Sequence, residues 1–285
     1  MGRFLTLPAS PIGLIFAAIL GVGALWTIPA EAQVNTDPLR PGATREGLSA
    51  GLDGSFTQLG GNVELLDVGL GARAQLLRLS PEVPGRDKSQ RSMKQLVYMM
   101  GNFRYTARGT PSGTIPIMNQ ALLHARLVHL WHPRIGSAIF VQHQFNEFQR
   151  MRVRSIWGTS VTIPLLQTAR VQALFGTGYL FEYNRISVLP GASDPDQTYE
   201  HRSSNFLGVK VGLFDSRLQM QNTLYMQPRW DELSDFRFLE EFECMVKVAD
   251  IIGFGATLSV LYDSAPPTGV KTTDTRVSTN LRLSF

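Results

Sequence analysis

The chain has 285 residues, is 44% apolar and 18% charged, carries a net charge of +4 and contains one cysteine, Cys244. A weakly basic balance with scattered Lys and Arg gives no nucleic-acid footprint, and a lone thiol excludes an internal disulfide or a cysteine-built metal site. Beyond residue 32 no run of 18 apolar residues occurs. That argues against helical membrane spans but not against barrel strands of about 9 to 11 residues, in which only alternate residues are apolar.

At the N-terminus, Arg3 precedes an apolar run from Ile12 to Trp26, which leads into Ala30-Glu31-Ala32. The run is shorter than the roughly 20 residues of a membrane helix. A basic start, a short apolar middle and a small-x-small exit predict a secretory signal peptide over 1–32, cleaved after Ala32. An uncleaved N-terminal anchor is the alternative. Residues 33–47, QVNTDPLRPGATREG, are polar and Pro-rich and read as a leader.

From residue 48 onward the pattern has period two. In MRVRSIWGTSVTI, Val153, Trp157, Val161 and Ile163 oppose Arg152, Arg154, Gly158 and Ser160. In VQALFGTGYLFEYN, Phe175, Tyr179, Phe181 and Tyr183 oppose Gln172, Gly176, Gly178, Glu182 and Asn184. In SSNFLGVKVGLF, Leu207, Val209 and Val211 oppose Gly208, Lys210 and Gly212. The final stretch sets Val277, Thr279, Leu281, Leu283 and Phe285 against Arg276, Ser278, Asn280, Arg282 and Ser284. About twelve strands are predicted, centred near residues 53, 70, 100, 125, 141, 157, 177, 208, 222, 241, 257 and 279.

Such strands build either a soluble sandwich with its apolar faces packed together or a barrel with its apolar face toward lipid. The even count, the strand length and the glycines of the polar faces favour the barrel. So do the aromatics Phe103, Tyr105, Trp131, Phe181, Tyr183, Tyr225, Trp230 and Phe285, read as interfacial girdles. Tight turns are expected at 132–134, 166–168, 214–216 and 249–251, and longer loops at 107–116, 186–201, 228–234 and 263–274. The short 60–62 and the long 81–91 break that alternation. The predicted fold of 48–285 is an all-β, transmembrane, antiparallel up-and-down β-barrel of about 12 strands.

The segments FVQHQFNEFQRMRVRS (140–155), GYLFEYNRISVLPG (178–191), YEHRSSNFLG (199–208), QPRWDELSDFRFLEE (227–241) and LYDSAPPTGVKTTDTR (261–276) resemble domain-of-unknown-function family 481. Its members are described as salt-induced outer-membrane proteins of Gram-negative bacteria. The resemblance covers residues 95 to 285, with the earlier part similar in pattern. It implies an outer-membrane β-barrel and no particular activity. Likeness to outer-membrane proteins in general implies that the terminal Phe285 serves the barrel assembly machinery as a recognition signal. The last strand is then expected to pair with the first, around 48–58, leaving no free edge in the bilayer.

The lumen charges expected on the polar faces are Arg104, Arg126, Arg152, Arg154, Glu182, Lys210, Arg237, Glu241, Glu243, Lys247, Arg276 and Arg282, with His124 among them. Buried charges need water or partners, so these side chains either brace the wall as ion pairs or line a narrow pore. His143 and Glu147, four apart on a strand and so about 13 Å from each other, do not make a metal site. No catalytic group, metal or cofactor is expected. A lipid-active enzyme using an outward His143 has no Ser partner evident from spacing. The acidic stretches 193–197 and 231–235 lack the spacing of a calcium loop. Cys244 is read as an inert apolar-face residue. The expected function is a narrow passive channel for small solutes or an envelope-stress role. The alternative is a non-conducting barrel that presents its loops to lipopolysaccharide or a partner. Expected partners are outer-membrane lipid, lipopolysaccharide and the assembly machinery.

Overall fold

Strict alternation gives a segment one apolar and one polar side only when it is extended, and each predicted centre lies in a strand of the computed structural model. The structure describes residues 46–61, 63–81, 93–132, 135–168, 170–215, 217–249 and 252–283. The expected signal peptide, most of the leader, and Phe285 lie outside them. The strands are β1 (Gly47–Leu59), β2 (Leu65–Leu79), β3 (Met93–Thr110), β4 (Gly113–His132), β5 (Ile135–Asn146) and β6 (Met151–Gln167). They continue as β7 (Val171–Ile186), β8 (Gln197–Leu213), β9 (Leu218–Pro228), β10 (Phe236–Lys247), β11 (Ile252–Asp263) and β12 (Thr273–Leu283). Each pairs with the next in one antiparallel sheet ordered β1 to β12.

The sheet is rolled. Gln149, between β5 and β6, donates to Asp274 of β12 at 3.0 Å. Across a flat sheet with strands about 4.8 Å apart, those positions would be roughly 30 Å from each other. Arg237 on β10 likewise reaches Glu182 on β7 at 2.6 Å. These contacts identify the concave face, and strand register carries that identity around the sheet. The inner residues include Asp67, Arg104, His124, Gln142, Arg154, Glu182, Arg202, Gln227, Arg237 and Asp263. On the outer face Leu48, Leu52, Phe56, Ile139, Val161, Phe254 and Val277 are exposed.

One end of the roll carries the connections 187–196, 229–235 and 264–272, and the other carries the tight 168–170, 214–217 and 248–251. The expected loop 107–116 is not a loop. β3 and β4 pair as far as Thr110 and Gly113, with Ile117 the extra residue of a bulge beside Pro116. Gly113 takes φ 126°, which lets the chain reverse in two residues. Pro116 cannot donate a ladder bond, and a bulge is where a strand tolerates that.

The inner face is not wholly polar. Phe140, Ile156 and Leu180 form one buried cluster, and Phe206, Tyr225 and Leu239 form another with Leu174 and Leu261 against it. Tyr225, expected in an aromatic girdle, is therefore an inner core residue at 1% exposure. Two glycines make room for these rings. Phe140 pairs with Gly158, and Phe206 with Gly176. A Cβ at Gly158 or Gly176 would lie 2.2 Å or 1.9 Å from the partner ring. The aromatic thus lies across its neighbour's backbone and fills space that the glycine leaves.

Candidate functional site

The long-loop half of the interior carries a buried network of ion pairs. Glu182, at the inner side of β7, is fully buried. It accepts from Arg154 Nη2 on β6 at 2.8 Å and from Arg237 Nη1 on β10 at 2.6 Å and 2.7 Å. Arg202 on β8 approaches the same carboxylate to 4.0 Å. Arg202 and Arg237 each hold further acids. Arg202 donates to Glu200 at 2.6 Å, to Asp235 at 2.8 Å and to the Gln227 carbonyl at 3.1 Å. Arg237 Nε donates to Asp263 at 2.9 Å. Asn184 adds a bond to Glu182 at 2.6 Å. Three guanidiniums thus face four carboxylates in a layer centred on the fully buried Glu182, where planar forks make paired, directional bonds that an ammonium could not. We call this layer the stopper. The apolar clusters, which lie further from the long loops, seal the wall beside it.

Above the stopper the long loops are tied to one another. Arg150, between β5 and β6 with φ 57°, donates to the carbonyls of Ser187 and Thr268 and lies 3.6 Å from Asp194. Asp194 in turn accepts from the Thr268 amide at 3.1 Å and hydroxyl at 2.9 Å. This latch joins 187–196 to 264–272 over the mouth. A cavity of about 240 Å³ lies between latch and stopper. On its flank, Arg229 binds Asp231, Glu232 and Asp235 at 2.7 to 2.9 Å. The Arg229 guanidinium holds the Asp231 carboxyl below its usual range. The acidic stretches 193–197 and 231–235 therefore place Asp194, Asp231, Glu232 and Asp235 against arginines. Among the described residues no group of three or more His, Cys, Asp or Glu is placed to hold a metal.

The expected lumen charges separate into groups. Arg154, Glu182 and Arg237 form the stopper. Arg104 faces inward on β3, bound to Asp67 at 3.2 Å. Arg126 and His124 are buried on β4; Arg126 lies over the Phe140 ring, and His124 meets Gln142 at 3.0 Å. Burial lies behind this arrangement, since His124 is only 2% exposed. Lys210, Glu241, Glu243, Lys247 and Arg276 carry inward register and are less buried. Arg152 does not join them. It is the extra residue of a bulge between Met151 and Val153 and is exposed. The Arg282 side chain lies outside the described residues. Arg202, Glu200, Asp235 and Asp263 were not anticipated, although Glu200 and Arg202 alternate with Tyr199 and His201 in a way that marks the inner face.

Outside, His143 meets Ser155 at 2.8 Å and Trp157 edge-on at 5.8 Å. Ser155 is only 5% exposed, and among the described residues no carboxylate bonds that imidazole. Glu147 is elsewhere, accepting from Asn119 at 2.8 Å. Trp157, Phe181, Tyr183 and Tyr199 form an outer aromatic belt with ring centroids 5.2 to 6.4 Å apart. Cys244 faces outward between Met220 and Ala256.

The profile of the family "Protein of unknown function, DUF481" matches residues 116–285. That stretch holds the stopper, the latch and the cavity. No curated protein matches the chain. Among solved structures, the NanC porin aligns over 84% of this chain and 99% of its own, at 9% identity and a TM-score of 0.43. At that level the likeness carries nothing about activity.

Proposed function

The chain belongs to the DUF481 family, and from that premise we propose that it is an integral outer-membrane β-barrel, closed by pairing of β12 with β1, that holds a small ligand at its mouth and does not conduct freely. The observation that carries the membrane reading is the inverted distribution of side chains. Leu52 is 88% exposed outside while Glu182 is 0% exposed inside. Soluble monomers rarely leave a continuous apolar surface of that extent in water, whereas lipid is its natural solvent. Twelve strands lie between the filled eight-stranded barrel and the open sixteen-stranded porin, and the stopper takes up that intermediate width. In this reading the long loops face outward and the tight turns face the periplasm.

The stopper favours an occluded barrel over the narrow open channel expected from composition. Passage past it requires separating buried charges held at 2.6 to 2.8 Å. The proposed role involves no bond chemistry. Two measurements test the reading. Resistance to carbonate extraction with heat-modifiable migration is expected for the barrel; release by carbonate overturns it. In planar bilayers the protein should be silent, and steady conductance of the unmodified protein would overturn occlusion.

A further inference from the structure

We infer that the chamber between latch and stopper binds a small organic cation with an apolar body. The inference goes beyond the occluded-barrel reading and concerns what the mouth accepts. Three arguments lead to it, from size, from wall chemistry and from the state of each charge.

A cavity of about 240 Å³ lies below the range of drug-sized sites. The occupant is therefore a small molecule. Among the charged side chains, part of the wall is aliphatic and stiff: Met151, Ile186 and Leu261 from the strands, and Pro195, Pro266 and Pro267 from the loops. Prolines restrict the backbone of the roof, so little ordering entropy remains to be lost when something binds beneath it. A purely hydrated ion would leave these walls wet, whereas an apolar body covers them.

Charge decides the rest. The arginines that line the chamber are already engaged. Arg154 is held by Glu182, Arg237 by Glu182 and Asp263, and Arg229 by Asp231, Glu232 and Asp235. An incoming anion would have to displace a carboxylate from one of these forks. Two carboxylates of the lining are in the opposite condition. Among the described residues neither Asp196 nor Asp274 makes a salt bridge, and Asp274 accepts a neutral amide bond from Gln149 at 3.0 Å. Lys271 also lines the chamber and is exposed. Against its single ammonium stand the two carboxylates, which like Lys271 are exposed at the mouth of the chamber, leaving an excess of one negative charge among these three groups. A cation gains there what an anion loses.

Titration calorimetry of the detergent-solubilised full chain with n-butylammonium, n-butanol and n-butyrate separates size, apolar and charge contributions. These probes share one body and differ in charge. The amine should bind up to roughly fivefold more tightly than the alcohol, with the carboxylate weakest. Asp196→Asn combined with Asp274→Asn should remove the preference for the amine over the alcohol while heat-modifiable migration is unchanged. No binding of any probe, equal affinity for all three, tighter binding of butyrate, or a preference that survives the double substitution would each overturn the inference. The barrel reading is judged separately by migration and extraction, so its failure is distinguishable.

Discussion

Glu182 and Arg237 are 55 residues apart in the chain and three strands apart in the sheet, yet their side chains meet at 2.6 Å. That approach exists because the sheet curves, and it places a carboxylate beneath three guanidiniums where water does not reach. Removing the carboxylate charge leaves Arg154, Arg202 and Arg237 facing one another. Breaking a buried ion pair from one side costs about 3 to 5 kcal/mol. Glu182→Gln should therefore lower the unfolding midpoint of the refolded barrel in urea by a corresponding amount. It should also produce conductance in bilayers that are silent with the unmodified protein. An unchanged midpoint would mean that the layer is hydrated after all.

Phe206 lies across Gly176, and the fit leaves no space for a side chain there. Gly176→Val should cost about 1 to 3 kcal/mol through overpacking. Combining it with Phe206→Leu should recover part of the loss, since the ring is what the new methyls meet. Midpoints for the two single variants and the pair would measure the coupling. Strict additivity would place the origin of the loss elsewhere than in this contact.

Arg150 holds two loops by their carbonyls and sits at positive φ. Arg150→Ala should expose 187–196 and 264–272 to proteases while changing the global midpoint by less than about 1 kcal/mol. Arg150→Gly relieves the backbone cost of the left-handed conformation without restoring the latch. It should show the same protease sensitivity with a slightly higher midpoint. Protection of both loops in either variant would show that the latch does not hold them.

The pairing of Arg229 with Asp231 has a pH signature. The hydrogen bond from Arg229 lowers the Asp231 carboxyl below its ordinary value of 3.8. The folded value lies below the unfolded one, so the contact contributes fully above the unfolded value and is lost as pH falls through the folded value. Carboxyl-detected NMR titration should place Asp231 below 3.8, and Arg229→Gln should move it back up. Because both groups are near solvent, 0.5 M salt should reduce the shift.

Much of the architecture is legible in local pattern. Alternation such as Val171, Ala173, Phe175 against Gln172, Gly176, Gly178 assigns both a strand and its two sides, because the side-chain period of a strand is two and no other regular structure shares it. Where the reading failed, a local signal had two meanings. Tyr225 was expected in an outer girdle because it is aromatic and near a strand end, but its register with Phe206 and Leu239 turns it inward. Arg152 alternates correctly with Arg154, and one bulge residue removes it from the inner face. The stretch 107–116 has the Gly, Pro and Ser of a loop, and two of those residues serve a tight turn and a bulge instead.

What the sequence by itself determined is where the strands lie, most of their sides and most of the supply of inward charges, which follow from neighbours along the chain. Only the tertiary structure decided which charges meet. Glu182 could have been braced by Lys210 or Arg276 as readily as by Arg154 and Arg237 on composition alone. The choice depends on the curvature of the sheet and on the stagger of strands three or more apart. Those are set by the summed registers, bulges and glycine contacts of the whole sheet, which no single segment encodes.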